Sequence, residues 1–373
     1  MASSQLLTDS RWRQAILPVT AASLLLVFHL LRGVVSPKSI APSENLASNF
    51  ADEAQCIECH EQAESFHETG HAQTLHAVTD ASSVELLKQL TKEQSDELSL
   101  KFDPEHVVAI APQTGDSQIK LTWCFGSGHH ARTWTGTLTD SWGQTDMLEF
   151  RWSWYNATGQ FDVTPGQLDQ ADPGYFEHLG VLFDQPKTRR CFECHTTHVT
   201  FPAGQLDTTS IRPGVTCQGC HGPRQNHVDS EGQLTNPVWQ GDREDAINRC
   251  AVCHRRASDL EPEKITPDNP NIARFQPIGL VQSACFRGSA SMTCTTCHDP
   301  HKPMSAQDSA GIWQCQQCHA EENSGNVDEY ASRCGAGHVD GCLQCHMPKV
   351  PLNRSVSFTD HWIRVRSSGE ENP

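Results

Sequence analysis

The sequence predicts a mainly α chain with little regular structure, whose interior is supplied by something other than its own side chains. Three observations lead there. Hydrophobic residues make up 37% of the chain and aromatics 7%, with a mean hydropathy of −0.50, which is thin material for a core in a chain of 373 residues. Against that stand 17 cysteines and 20 histidines. Fourteen of the cysteines fall into seven copies of one pattern, C-x-x-C-H.

The copies are Cys56/Cys59/His60, Cys191/Cys194/His195, Cys217/Cys220/His221, Cys250/Cys253/His254, Cys294/Cys297/His298, Cys315/Cys318/His319 and Cys342/Cys345/His346. On a helical turn, positions i, i+3 and i+4 share a face. Two thiols can then bond to a porphyrin edge while the histidine swings beneath it to ligate iron. This is the attachment pattern of haem c. A single C-x-x-C also serves zinc ribbons and thioredoxin-like sites, but neither use demands a histidine directly after every pair. Seven covalently bound haem c groups follow, and their porphyrins supply the missing apolar mass. Cys124, Cys285 and Cys334 are left over. Three thiols make at most one disulfide, and they are read as inert.

Taken in order, the chain opens with a membrane signal. From Gln14 to Leu31 no residue is charged, which reaches the roughly 17–25 residues a spanning helix needs. No A-x-A cleavage site follows directly, so an uncleaved anchor over 14–35 is favoured over a signal peptide. Residues 1–13 form a cytoplasmic N-terminus, 36–52 a Pro/Ser-rich linker, 53–365 the haem-bearing domain and 366–373 a polar tail. Haem attachment takes place on the exported side in bacteria. That orients the chain as a single-pass protein of the inner (cytoplasmic) membrane with its haem domain in the periplasm. Within the domain, Val84, Leu87 and Leu90 repeat at helical spacing in the stretch 81–102. A small β-element is expected at 107–163, where Ile119, Leu121 and Trp123, then Leu148, Phe150, Trp152 and Trp154, alternate with polar residues. Its aromatics are expected to pack on a haem face.

Setting aside the seven motif histidines and His29 leaves twelve candidates for second axial ligands: His67, His71, His76, His106, His129, His130, His178, His198, His227, His301, His338 and His361. With so many, and only Met147, Met292, Met304 and Met347 as methionine alternatives beyond the anchor, mostly bis-histidine iron of low potential is expected. His198, His227 and His301 follow a motif histidine by three, six and three residues. Tethers that short do not wrap a porphyrin, so each of these, as a ligand, would serve a neighbouring haem.

Residues 53–365 also resemble a family of bacterial multihaem cytochromes c often fused to tetratricopeptide repeats. The matching pieces are GSGHHARTW (126–134), CFECH with FPAG (191–204), GVTCQGCHGPRQNHV (214–228), SACF (283–286), MTCTTCHDPH (292–301), CLQCHMPK (342–349) and TDHWI (359–363). The family is related in haem packing to the tetrahaem nitrification cytochromes and to hydroxylamine oxidoreductase. The resemblance implies a fold organised by stacked haems. It implies distal ligands at His71, His130, His227, His301, His338 and His361, with His178 as a further position. His129 and His198 are additions the family pattern does not require, and Ser355 stands where it often has a histidine.

The formal charge of −17 excludes nucleic acid as a partner class. Electron transfer through closely packed haems, with redox proteins or a membrane quinol-linked complex as partners, is the expected role. Oxidation or reduction of a small nitrogen or sulfur compound at one open haem is the alternative. Against it, the chain has no C-x-x-C-K motif, and its tyrosines, Tyr155, Tyr175 and Tyr330, stand in no matching context.

Overall fold

Alternation of apolar and polar residues carries further along the chain than the small β-element expected of it. A computed structural model of the protein folds residues 75–182 around an eight-stranded antiparallel sheet. The structure describes residues 49–61, 64–94, 96–111, 117–139, 145–168, 170, 178–234, 241–304, 311–319 and 342–366. The expected anchor, most of the linker, Cys334 and His338 lie outside them. Among the described residues no helix is long and apolar enough to cross a membrane.

The strands are β1 (Leu75–Ala77), β2 (Ser99–Phe102), β3 (Val107–Ala111), β4 (Ser117–Phe125), β5 (Ala131–Thr139), β6 (Thr145–Tyr155), β7 (Gln160–Val163) and β8 (Gly180–Leu182). They pair in the order β2-β3-β4-β5-β6-β7, with β1 added to β4 and β8 to β6. The two additions have one cause. β4 and β6 are long, so one edge of each serves two partners in succession. β3 takes Ser117 to Leu121 of β4 and β1 takes Trp123 to Phe125, while β8 takes Leu148 to Phe150 of β6 and β7 takes Trp152 to Tyr155.

A mainly α chain with little regular structure is therefore the wrong class. The thin overall hydropathy hid a local concentration of apolar residues: Leu100, Val107, Ala109, Ile119, Leu121, Trp134, Leu148 and Phe150 form a buried cluster inside the sheet. Strands put alternate residues on one face, so this core needs few apolar residues per strand. The helix α2 (Ala81–Glu93) covers it with Leu87 and Leu90. It starts on an Asp80 cap that accepts from the Ser82 N–H at 3.0 Å, and Trp134 Nε1 donates to Ser83 Oγ at 2.7 Å. It ends at Glu93, and the remainder of the 81–102 stretch closes as β2. The aromatics divide between two clusters. Trp134, Trp152 and Trp154 pack into the sheet's own core, and among the described tryptophans only Trp123 joins a second cluster that includes Phe125, Phe192 and Cys191.

Beyond the sheet, regular structure comes in short pieces. α1 (Glu53–Ile57), α3 (Gln185–His195), α4 (Cys217–His221), α5 (Gln225–Asp229), α6 (Arg243–His254), α7 (Gln276–Gln282), α8 (Ala284–Gly288), α9 (Gly311–His319) and α10 (Cys342–His346) alternate with the hairpins β9 (Thr196–Thr200)/β10 (Asp207–Pro213) and β11 (Lys349–Pro351)/β12 (Ser357–Thr359). If the sheet's core is independent of the attachment motifs, Leu148→Ala should lower stability by about 2–5 kcal/mol. Chemical denaturation checks this, with the haem absorption of the folded protein expected to stay unchanged.

Candidate functional site

Local structure places the histidine at a helix end in five of the seven motifs. The motif histidine is the last helical residue of α3, α4, α6, α9 and α10. The chain then turns away: Thr196 is extended, and Gly222 and Arg255 take positive φ of 74° and 75°. Asp52, Asp184 and Asp242 cap the starts of α1, α3 and α6, each accepting a first-turn backbone N–H.

The motifs are packed cysteine against cysteine. The ligand atoms of Glu53, Cys56 and Cys217 lie within 4.8 Å of one another, joining the first motif to the third. Cys194 and Cys253 hydrogen-bond through their thiols, as do Cys250 and Cys294. Cys220 stands near Cys250, Cys297 near Cys318, and Cys315 near Cys342. Neighbours therefore run first, third, fourth, fifth, sixth, seventh, and the second motif joins at the fourth. A zinc site needs about four ligand atoms converging on one point. Among the described residues the one group of three or more is Glu53, Cys56 and Cys217, drawn from two motifs and without a histidine.

Cys59 and Cys345 are exposed, as are Cys220, Cys253, Cys297 and Cys318.

The histidines are paired as well. His60 faces His227 with ring centroids 6.2 Å apart, His221 faces His301 at 6.1 Å, His298 faces His361 at 6.2 Å and His71 faces His254 at 6.1 Å. Two imidazoles sharing one metal, each about 2 Å from it through a ring nitrogen, stand about 6 Å apart between centroids. Each pair joins one motif histidine to one outside the motifs, and none joins a motif histidine to the nearest one downstream of it. The second nitrogen is held where it leaves Nε2 for a metal. Nδ1 donates to the Leu234 carbonyl from His227 at 3.1 Å, to Asp299 from His301 at 3.2 Å, to Gln276 from His254 at 3.2 Å and to the Thr359 carbonyl from His361 at 2.9 Å. His195 and His346 are oriented likewise, by the carbonyls of Thr74 and Arg364, each at 3.0 Å. Burial pushes the His195 and His361 pKa values down, which keeps the imidazole neutral and able to ligate. The residues present fit haem c.

Close backbone approach holds the His71–His254 pair. The Val215 N–H donates to the His71 carbonyl at 2.9 Å, and next to it a Cβ on Gly214 (φ 75°) would collide with the Ala72 carbonyl oxygen.

Other expected residues lie elsewhere. His130 sits between His129 and Phe358, at 4.8 and 4.9 Å, on the β11/β12 side of the molecule. His178 is buried against the sheet with Nε2 3.7 Å from Glu97. Of the surplus histidines, His76 bonds the Gly126 carbonyl at 3.2 Å, His106 lies 3.4 Å from Asp103, and His198 packs on Phe50 at 4.9 Å. Tyr155 is turned into the sheet, donating to the Val163 carbonyl at 3.3 Å. Beside His361, a cavity of about 290 Å³ is lined by Trp362, Arg364 and Arg366, whose guanidiniums both pair with Asp360. Glu53 and Gln218, which join the first and third motifs, were missed in the sequence, where no pattern marks them.

Residues 177–222 match the family of cytochrome c554 and c-prime. The dissimilatory sulfite reductase MccA of Wolinella succinogenes is 24% identical over 212 residues, 44% of this chain and 28% of that protein. The chain thus spans little more than a quarter of that relative's length. Among solved structures, the outer cell wall cytochrome OcwA is similar with a TM-score of 0.53 at 14% identity, covering 85% of this chain and 80% of that one. The undecahaem cytochrome from the S-layer of Carboxydothermus ferrireducens has a TM-score of 0.43 at 14% identity, over 92% and 56% of the two chains. With its C-x-x-C-H motifs, the chain is a multihaem c-type cytochrome, a redox protein that binds haem c.

Cys124 is fully buried in β4, and burial pushes its thiol up to about 12. It should resist iodoacetamide at pH 8 in the folded protein and react after denaturation, as peptide mass spectrometry would record.

Proposed function

We propose that the chain is a heptahaem electron carrier, each C-x-x-C-H motif holding one haem c and most irons closed by two histidines. The observation that carries this reading is the set of four histidine pairs at 6.1–6.2 Å. They support His227 as the partner of the first motif's histidine, His301 of the third's, His71 of the fourth's and His361 of the fifth's. His195, His319 and His346 take their partners from the remaining expected positions, His130, His178 and His338. Haem c, when bound, supplies a one-electron iron couple at each site. The protein orients the imidazoles through the Nδ1 acceptors and spaces the sites through the packed cysteines. Contacts between successive motifs support a path with three ends, at the first, second and seventh motifs, meeting at the fourth. The uncharged run from Gln14 to Leu31 supports tethering to the inner membrane with the haem domain in the periplasm. Redox proteins or a quinol-linked membrane complex would be the partners there.

The likeness to MccA favours a second reading, in which one incompletely ligated iron acts on a small sulfur or nitrogen compound. Electron paramagnetic resonance of the oxidised protein separates the two. Electron transfer alone predicts low-spin signals and no reoxidation of the reduced protein by sulfite, nitrite or hydroxylamine. A high-spin signal together with reoxidation by one of them favours the enzyme.

A pyridine haemochrome assay should give seven haems per chain, and far fewer would defeat the central claim. His301→Ala should abolish one low-spin signal. The signal lost should be the one also missing when Cys217 and Cys220 are replaced by alanine, rather than the one missing when Cys294 and Cys297 are. The opposite match would reverse the assignment.

A further inference from the structure

We propose that Gln218 is a positioning residue that keeps His60 and His227 in register from inside the third attachment motif. The inference rests on reading those two histidines as axial ligands of one iron.

Gln218 is the residue after the first cysteine of its motif, and it is only 2% exposed. At the same position the second and fourth motifs bury Phe192 and Ala251, apolar side chains that ask nothing of their surroundings. A buried amide, by contrast, must find partners or destabilise the fold. A glutamine amide offers two N–H donors and two acceptor lone pairs, and here all four are used. Oε1 accepts from the Ala51 N–H at 2.9 Å and from the Arg224 N–H at 3.0 Å. Nε2 donates to the Ala51 carbonyl at 2.9 Å and to Glu53 Oε1 at 3.0 Å.

These partners belong to the two arms of one pair. Ala51 and Glu53 lead directly into α1, which carries Cys56 and is followed by His60. Arg224 is the cap residue of α5, and its carbonyl accepts from the His227 N–H at 3.0 Å. A single side chain thus ties the arm that carries His60 to the arm that carries His227. Thr216 donates to Glu53 Oε1 at 2.5 Å and holds the carboxylate in place.

The test uses the haem-loaded protein and four variants: His227→Ala, Gln218→Leu, Gln218→Glu, and Gln218→Glu with Glu53→Gln. Three quantities are read: covalent haem per chain, the low-spin signals of the oxidised protein, and carbon monoxide bound after reduction. His227→Ala should convert one low-spin signal to high spin and bind one additional carbon monoxide per chain. Gln218→Leu should affect that same signal in part, with the other signals and the haem content unchanged. Gln218→Glu sets a carboxylate against Glu53 and the Ala51 carbonyl, so it should open the site at least as far. Adding Glu53→Gln restores a donor and should recover most of the signal. The inference is overturned if His227→Ala opens a site that neither Gln218 variant disturbs, or if the Gln218 variants weaken all signals alike. If His227→Ala opens no site, the axial pairing itself fails and the inference falls with it.

Discussion

The arrangement depends on an imidazole supplied from one attachment motif to another. His227 follows the third motif but faces the histidine of the first, and His301 follows the fifth but faces that of the third. Short tethers impose this, because six or three residues cannot carry a side chain around a porphyrin to its far side. On the bis-histidine reading, each bound iron is therefore a cross-link between segments distant in sequence. The part of the chain with the least apolar material is held by covalent and coordinate bonds where other proteins use a side-chain core. Buried polar contacts such as the four made by the Gln218 amide fill in between.

The sheet answers a different need. It lies between the first two motifs in sequence and has a conventional core, so it folds on hydrophobic burial that the motif segments lack. Its link to the motifs is local. β1 follows the His71 segment, and the residues after β8 lead to the Asp184 cap of α3, the helix that ends at His195. Trp123, Phe125 and Phe192 then join sheet to motif across the second cluster.

What the sequence disclosed follows from how local each signal was. The motifs were legible because covalent chemistry fixes their spacing, and tether length already pointed His227 and His301 away from their own motifs, where the structure has them facing His60 and His221. The long strands were legible where alternation ran on, as at Leu148–Trp154. β8, three residues with an exposed Val181 and Leu182, left no such trace, and neither did the pairing of β1 with the far end of β4. Averaging hydropathy over 373 residues concealed the sheet core and led to the wrong fold class. The role of Gln218 was invisible for another reason: a glutamine between two motif cysteines looks like any solvated residue until its four partners, up to 167 positions away, are known.

Pairing across the chain also sets an order of completion. A chain that emerges from its N-terminus presents His60 long before His227, His221 before His301, and His298 before His361. On this reading His60, His221 and His298 would each wait for a partner histidine from downstream chain. The fourth motif alone of the paired set finds its partner, His71, already delivered. Maturation would then complete the pairs in the order His60–His227, His71–His254, His221–His301 and His298–His361.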